Sequence, residues 1–258
     1  MYDIVVFASG SGTTLQTIID NINNGMLKAN ICLVVSDNPE AYALERALQN
    51  FIPIYVIKNK TVADIDVELS DELKKYDIDL IVLAGYLKMI GENLIDKYTI
   101  INTHPGLLPE YGGKGMYGVH VQEAVLNAGE EYGGVTVHYV NSEYDKGDII
   151  AQTKVKIEKE DTPETLFAKV QAAEKNQLVE VLKEFVAQNR IYFEYEKIEL
   201  CKTCRLCRLF YTVLFILSRA GTRSALFHFA TKFCYSSFFL SSSYPIAPIA
   251  AAIPPINI

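Results

Sequence analysis

Acidic residues are absent from the last fifth of this chain. Residues 201–258 contain no Asp or Glu and six Lys or Arg, whereas residues 1–200 carry all 31 acids against 18 bases. The overall charge of −7 therefore hides a first part at −13. A surface of that sign repels a phosphate backbone, which argues against a nucleic-acid binder. Cysteine is scarce as well: Cys32 lies in an apolar run, and Cys201, Cys204, Cys207 and Cys234 all fall in the tail. An odd total of five argues against a disulfide framework. Long apolar runs are missing. The most apolar tail segment, 209–217, is shorter than the ~20 residues a bilayer requires. The N-terminus passes from Met1-Tyr2-Asp3 directly into Ile4-Val5-Val6-Phe7, with no basic stretch and no cleavage-site pattern. The expectation is a cytoplasmic protein with no membrane anchor.

What is present is ample apolar material, half of all residues, enough for a sizeable core. Short runs at 4–8, 31–36, 54–57 and 80–84 read as buried strands. Between them, Leu15, Ile18, Ile19 and Ile22 fall at helical spacing after Thr13 or Thr14 as N-cap, and 41–49 and 64–76 give two more helices. This alternation predicts an α/β, Rossmann-like, mostly parallel twisted sheet with helices on both faces, whose ligands bind beyond the carboxyl ends of the strands. Farther on, 121–127 reads as helix and 134–140 and 149–157 as a hairpin-like pair. Thr162-Pro163-Glu164 starts a helix running to about residue 187. The globular unit is expected over 1–195, followed by an irregular tail over 196–258.

Three loops carry chemistry. Ser9-Gly10-Ser11-Gly12-Thr13-Thr14 is a small-residue turn between strand and helix, where free N–H groups and the positive helix end favour an anion. It lacks the third glycine of a dinucleotide fingerprint and the lysine of a P-loop, and a plain tight turn uses glycine equally well. In Asn102-Thr103-His104-Pro105-Gly106-Leu107-Leu108-Pro109, alternation puts Asn102 and His104 on one strand face. An amide can donate to a developing oxyanion and an imidazole can move a proton, although an isolated histidine also caps its own turn. Tyr144-Asp145-Lys146-Gly147-Asp148 is ordinary turn composition, yet Asp145 there could return to His104, orient its ring and raise its pKa.

Together with Leu83-Ala84-Gly85-Tyr86-Leu87-Lys88-Met89-Ile90 and Val170-Gln171-Ala172-Ala173-Glu174, these segments resemble, in order and spacing over residues 2 to about 190, the phosphoribosylglycinamide formyltransferase family. That family belongs to the wider group of formyltetrahydrofolate-using transferases and hydrolases. The resemblance implies that Gly12, Thr13 and Thr14 hold the phosphate of glycinamide ribonucleotide and that Glu174 contacts its ribose end. Leu87, Lys88, Met89 and Ile90 would line the pocket for the co-substrate 10-formyltetrahydrofolate. Asn102 and His104 would stabilise the tetrahedral oxyanion, with Asp145 holding His104 and assisting proton transfer. No metal is implied, and the partners are small molecules, with a monomer or a homodimer both compatible.

Some positions depart from the family pattern. Lys88 stands where arginine is familiar, which keeps the charge and loses the two-pronged donor. The arginine expected near Val62 is missing, leaving Lys58 or Lys60 to reach a glutamate tail, and the role of His120 is open. The glycine-rich segment 111–118 reads as a mobile loop. In the tail, Cys201, Cys204 and Cys207 have ligand-like spacing without a nearby fourth cysteine, and the composition reads as a frameshift or read-through product rather than a functional domain. The rival activity is formyltetrahydrofolate hydrolysis at the same Asn, His and Asp, against which the phosphate loop argues. A methionyl-tRNA formyltransferase and a non-catalytic nucleotide binder fit less well.

Overall fold

The computed structural model describes residues 1–200, with side-chain surroundings through residue 189. Met1–Arg190 forms one compact unit, and the tail cysteines lie outside the described residues. Five parallel strands, β1 (Tyr2–Phe7), β2 (Ala29–Ser36), β3 (Ile54–Val56), β4 (Leu80–Leu83) and β5 (Ile100–His104), are extended by the antiparallel β6 (Tyr132–Tyr139) and β7 (Ile149–Lys156). Their order in the sheet is β3-β2-β1-β4-β5-β6-β7. The expected hairpin thus continues the sheet beyond β5.

Both faces of the parallel part are covered, so its strands are continuously apolar. Along β1, Ile4 and Val6 enter one core with residues of α1 (Thr13–Asn23), α2 (Tyr42–Gln49) and α6 (Pro163–Leu200), while Val5 and Phe7 enter the other with α3 (Val62–Leu73) and α4 (Glu92–Lys97). Several helix ends differ from the sequence reading: α3 is Val62–Leu73 rather than 64–76, α5 (Val119–Asn127) begins at Val119 rather than 121, and two further differences have a clear physical cause. The cap of α1 is Gly12, at φ 66° and with no side-chain cap bond, rather than Thr13 or Thr14. A Cβ at Gly12 would lie 2.7 Å from the Ala43 Cα, so close approach of α2 as well as the left-handed backbone selects glycine. The second difference is that α6 runs past residue 187 to Leu200, through a stretch without Gly or Pro to stop it. Its start is as expected, with the Thr165 N–H donating to Thr162 Oγ1 at 3.3 Å.

The six-residue α4 has too few residues to display a period, and the sequence reading did not include it. Its first turn is capped from a distance: the buried Asp66 carboxylate of α3 accepts from the N–H groups of Asn93 at 3.0 Å and Leu94 at 3.2 Å. Among the described residues no helix is long and apolar enough to cross a membrane.

Candidate active site

The strand order reverses direction between β1 and β4, so the crossovers after these strands diverge and open a crevice at their carboxyl ends. A cavity of about 630 Å³ occupies this region and extends over β5. The residues to which the resemblance assigns a role line it: Gly12, Thr13 and Thr14; Leu87, Lys88, Met89 and Ile90; Asn102, His104 and Asp145; and Glu174. His120, Lys58 and Lys60 do not. His120 is exposed and faces Glu123 at 3.3 Å.

At one end, the glycine loop delivers the unpaired first N–H groups of α1 to the cavity. Arg46 of α2 braces the loop, its Nε donating to the Ser11 carbonyl at 2.8 Å and its Nη1 to Gln16 at 3.1 Å. The Thr14 hydroxyl, free of capping duty, donates to Glu174 Oε1 at 3.1 Å. Burial pushes the Glu174 carboxyl up to about 7, against the weaker opposing pull of Thr14, Lys175 and Thr103. Near neutral pH this group can therefore both donate and accept. The Thr103 hydroxyl, also lining the cavity, is buried near the Glu174 carboxyl without a hydrogen bond of good geometry among the described residues.

Asn102, His104, His138 and Asp145 cluster on β5, β6 and the turn after β6. Asn102 lies directly opposite His138 in the antiparallel register, and Asn102 Nδ2 is 3.1 Å from His138 Nε2. His138 Nδ1 lies 2.8 Å from the Tyr139 carbonyl, which can only accept, so in the neutral ring Nδ1 carries the proton and Nε2 receives the amide N–H. The same amide donates to Asp145 Oδ1 at 3.5 Å. His104 shows the same logic with the nitrogens exchanged. Its Nε2 is 2.6 Å from the Tyr111 carbonyl and must donate, leaving Nδ1 facing Asp145 Oδ2 at 3.6 Å.

Asp145 is at φ 55°, a left-handed conformation that Asp tolerates better than most residues. Its turn is pressed onto β6: a Cβ at Gly147 would lie 1.7 Å from the Tyr139 carbonyl oxygen. Glycine there is a packing requirement as well as turn composition. Burial alone would raise the Asp145 carboxyl; the Gly113 N–H at 2.9 Å and the His138 and His104 rings, in the protonated forms that present N–H to it, outweigh that effect and hold the group below its ordinary value. For His104 the balance reverses. Asp145 does favour the charged ring, as expected, yet burial is the larger effect and His138 adds to it, so the His104 pKa is lowered rather than raised.

His138 was missed by sequence reasoning. The signal was available: position 138 alternates with buried Val135 and Val137 on a strand whose pairing with β5 brings it opposite Asn102. On the other side of the cavity, Leu87 is exposed, Ile90 is buried in the core shared with α3 and α4, and the Lys88 ammonium lies 3.8 Å from Asp37. Apolar Leu87, Met89 and Ile90 suit a flat ring and Lys88 suits a carboxylate. Among the described residues no three His, Cys, Asp or Glu side chains are grouped to hold a metal ion.

Comparison with known proteins agrees with this geometry. A family model described as formyl transferase matches residues 2–182. The phosphoribosylglycinamide formyltransferase of Haemophilus influenzae is 40% identical over 179 residues, covering 67% of this chain and 82% of that protein. The chloroplastic phosphoribosylglycinamide formyltransferase of Arabidopsis thaliana is 40% identical over 185 residues, 69% of this chain, and the chain spans 63% of that relative's length. The crystal structure of phosphoribosylglycinamide formyltransferase from Bacillus halodurans superposes with a TM-score of 0.67 at 35% identity, covering 72% of this chain and 96% of the other. The family match over residues 2–182, with relatives 40% identical across more than two thirds of the chain, makes this chain a member of the formyl transferase family, on its phosphoribosylglycinamide formyltransferase branch.

Proposed function

We propose that the protein transfers the formyl group of 10-formyltetrahydrofolate to the amine of 5-phosphoribosylglycinamide, a step of purine synthesis, as a cytoplasmic enzyme of small-molecule substrates. The observation that carries this reading is the convergence of the glycine loop, the buried Glu174 and the Asn102, His104 and Asp145 centre on one cavity. Gly12, Thr13 and Thr14 take the phosphate, Glu174 hydrogen-bonds the ribose, and Leu87, Lys88, Met89 and Ile90 hold the folate. The substrate amine attacks the formyl carbon, forming the new C–N bond and an oxyanion. The Asn102 amide, turning from its long 3.5 Å contact with Asp145, donates to that oxygen.

The attacking nitrogen must lose a proton and the folate nitrogen must gain one as its C–N bond breaks. His104 suits both halves. With Nε2–H held by Tyr111, the neutral ring accepts at Nδ1, and the resulting cation is stabilised by Asp145 while adding positive charge beside the oxyanion. The lowered pKa of His104 keeps the ring available as an acceptor at neutral pH. Holding both substrates in one cavity supplies much of the remaining acceleration. The reading is tested by mixing the protein with both substrates and following folate absorbance: turnover that requires the ribonucleotide supports transfer, turnover without it indicates hydrolysis, and no turnover refutes both.

A further inference from the structure

The two substrate loops are joined by a closed polar ring that touches neither reacting group. Ser9, at the start of the glycine loop, donates its hydroxyl proton to Asp37 Oδ1 at 2.5 Å and accepts at the same oxygen from the Leu87 N–H at 3.2 Å. The second Asp37 oxygen faces the Lys88 ammonium at 3.8 Å. Leu87 and Lys88 thus grip the Ser9 and Asp37 pair from both ends, one through the main chain and the other through a charge. The Ser9 main chain reinforces the connection, its N–H donating to the Gly85 carbonyl at 3.1 Å and its carbonyl accepting from the Asn38 side-chain amide at 3.4 Å.

An isolated surface ion pair would contribute little. This one differs because the Asp37 side chain is only 12% exposed and its other oxygen holds a short, charge-assisted hydrogen bond. Neither Ser9 nor Asp37 lines the cavity, so any effect they have on the reaction must pass through the loops they join. On one side of the ring lies the loop that faces the phosphate. On the other lies the segment that faces the folate.

We propose that Ser9 and Asp37 are positioning residues that, through Leu87 and Lys88, set the separation of the two subsites, and so the approach of the ribonucleotide amine to the formyl carbon. The inference rests on the transfer reaction proposed above. Each loop can bind its own substrate without the ring, but a small error in their relative placement costs reaction rate. The ring also gives Lys88 an anchoring role in the protein itself.

The test separates binding from transfer in full-length Ser9→Ala and in the isosteric Asp37→Asn, which turns an amide N–H₂ toward the Lys88 ammonium. Affinities for glycinamide ribonucleotide alone and for 10-formyltetrahydrofolate alone should stay within about threefold of the unsubstituted protein, while kcat with both saturating falls by about 10-fold or more. Because Lys88 also faces the folate, Lys88→Met should lower folate affinity as well as kcat, and Lys88→Arg should restore kcat. Thermal midpoints verify folding; a variant that fails to fold is replaced by Asp37→Glu, which should lower kcat in the same way. Unchanged kcat in Ser9→Ala and Asp37→Asn, or a loss in them confined to one substrate's affinity, overturns the bridge while leaving the transferase reading intact. An unsubstituted protein that transfers no formyl group overturns both.

Discussion

Replacing Glu174 with glutamine should make the protein more stable at alkaline pH and leave it little changed in acid. The carboxyl is 8% exposed, and its pKa is raised from 4.5 to about 7, chiefly by burial. Its neutral form is therefore the one the fold favours. Below 4.5 the group is protonated in both folded and unfolded chains and has no differential effect; as pH rises from 4.5 through about 7, the unfolded chain ionises first and stability is lost. The shift corresponds to a loss of roughly 3 kcal/mol once pH is well above 7, at 1.36 kcal/mol per unit. For a unit of this size that is about 6–12 °C in Tm. Urea unfolding of both proteins at pH 5 and pH 8 reads the effect as a difference of differences, with Glu174→Gln lacking most of the decline shown by the unsubstituted chain. The variant should also bind glycinamide ribonucleotide more weakly, since the amide cannot ionise for the ribose hydroxyls. Parallel pH dependence in the two proteins would falsify the burial argument.

Asn102→Ala removes the proposed oxyanion donor and should lower kcat on the order of 100-fold or more; unchanged steady-state turnover would rule out that role. Because His104 is held below its ordinary value of 6.5, kcat measured at saturation should stay level down to that pH and decline only below it, and an acid limb above pH 6.5 would contradict the neutral-ring mechanism. Gly147→Ala forces a methyl against the Tyr139 carbonyl and should cost about 1–3 kcal/mol in urea unfolding, with kcat falling because the Asp145 turn must move. Truncation after Phe193 keeps the whole compact unit Met1–Arg190, so specific activity should be retained, and its loss would assign the tail a role.

The sheet was legible because parallel strands covered on both faces announce themselves as uninterrupted apolar runs, as 4–8 and 80–84 do. The ends of elements were less so. Gly12 rather than a threonine caps α1 because the helix packs against Ala43, a contact far away in sequence, and α4 depends on a carboxylate 27 residues upstream. The same division holds in the site. Asn102 and His104 could be paired from strand alternation alone, whereas His138 entered through cross-strand register, which hydrophobic pattern does not reveal unless the hairpin pairing is known. The direction of the His104 shift was misjudged for a related reason: a neighbouring charge can be guessed from a motif, but the depth of burial that outweighs it is a property of the assembled fold.

The four contacts of the Asp145 carboxylate also constrain which residue types that position can hold. One oxygen faces the Asn102 amide and the His138 ring, and the other faces the Gly113 N–H and the His104 ring. Two separate donors, Asn102 and Gly113, thus point at opposite ends of one group, and only a side chain that accepts at both ends meets them without conflict. An asparagine at 145, though identical in shape, would have to aim its N–H₂ at one of these donors. It would surrender either the amide proposed to meet the oxyanion or the tether of the glycine-rich loop, and no rotation of the side chain recovers both.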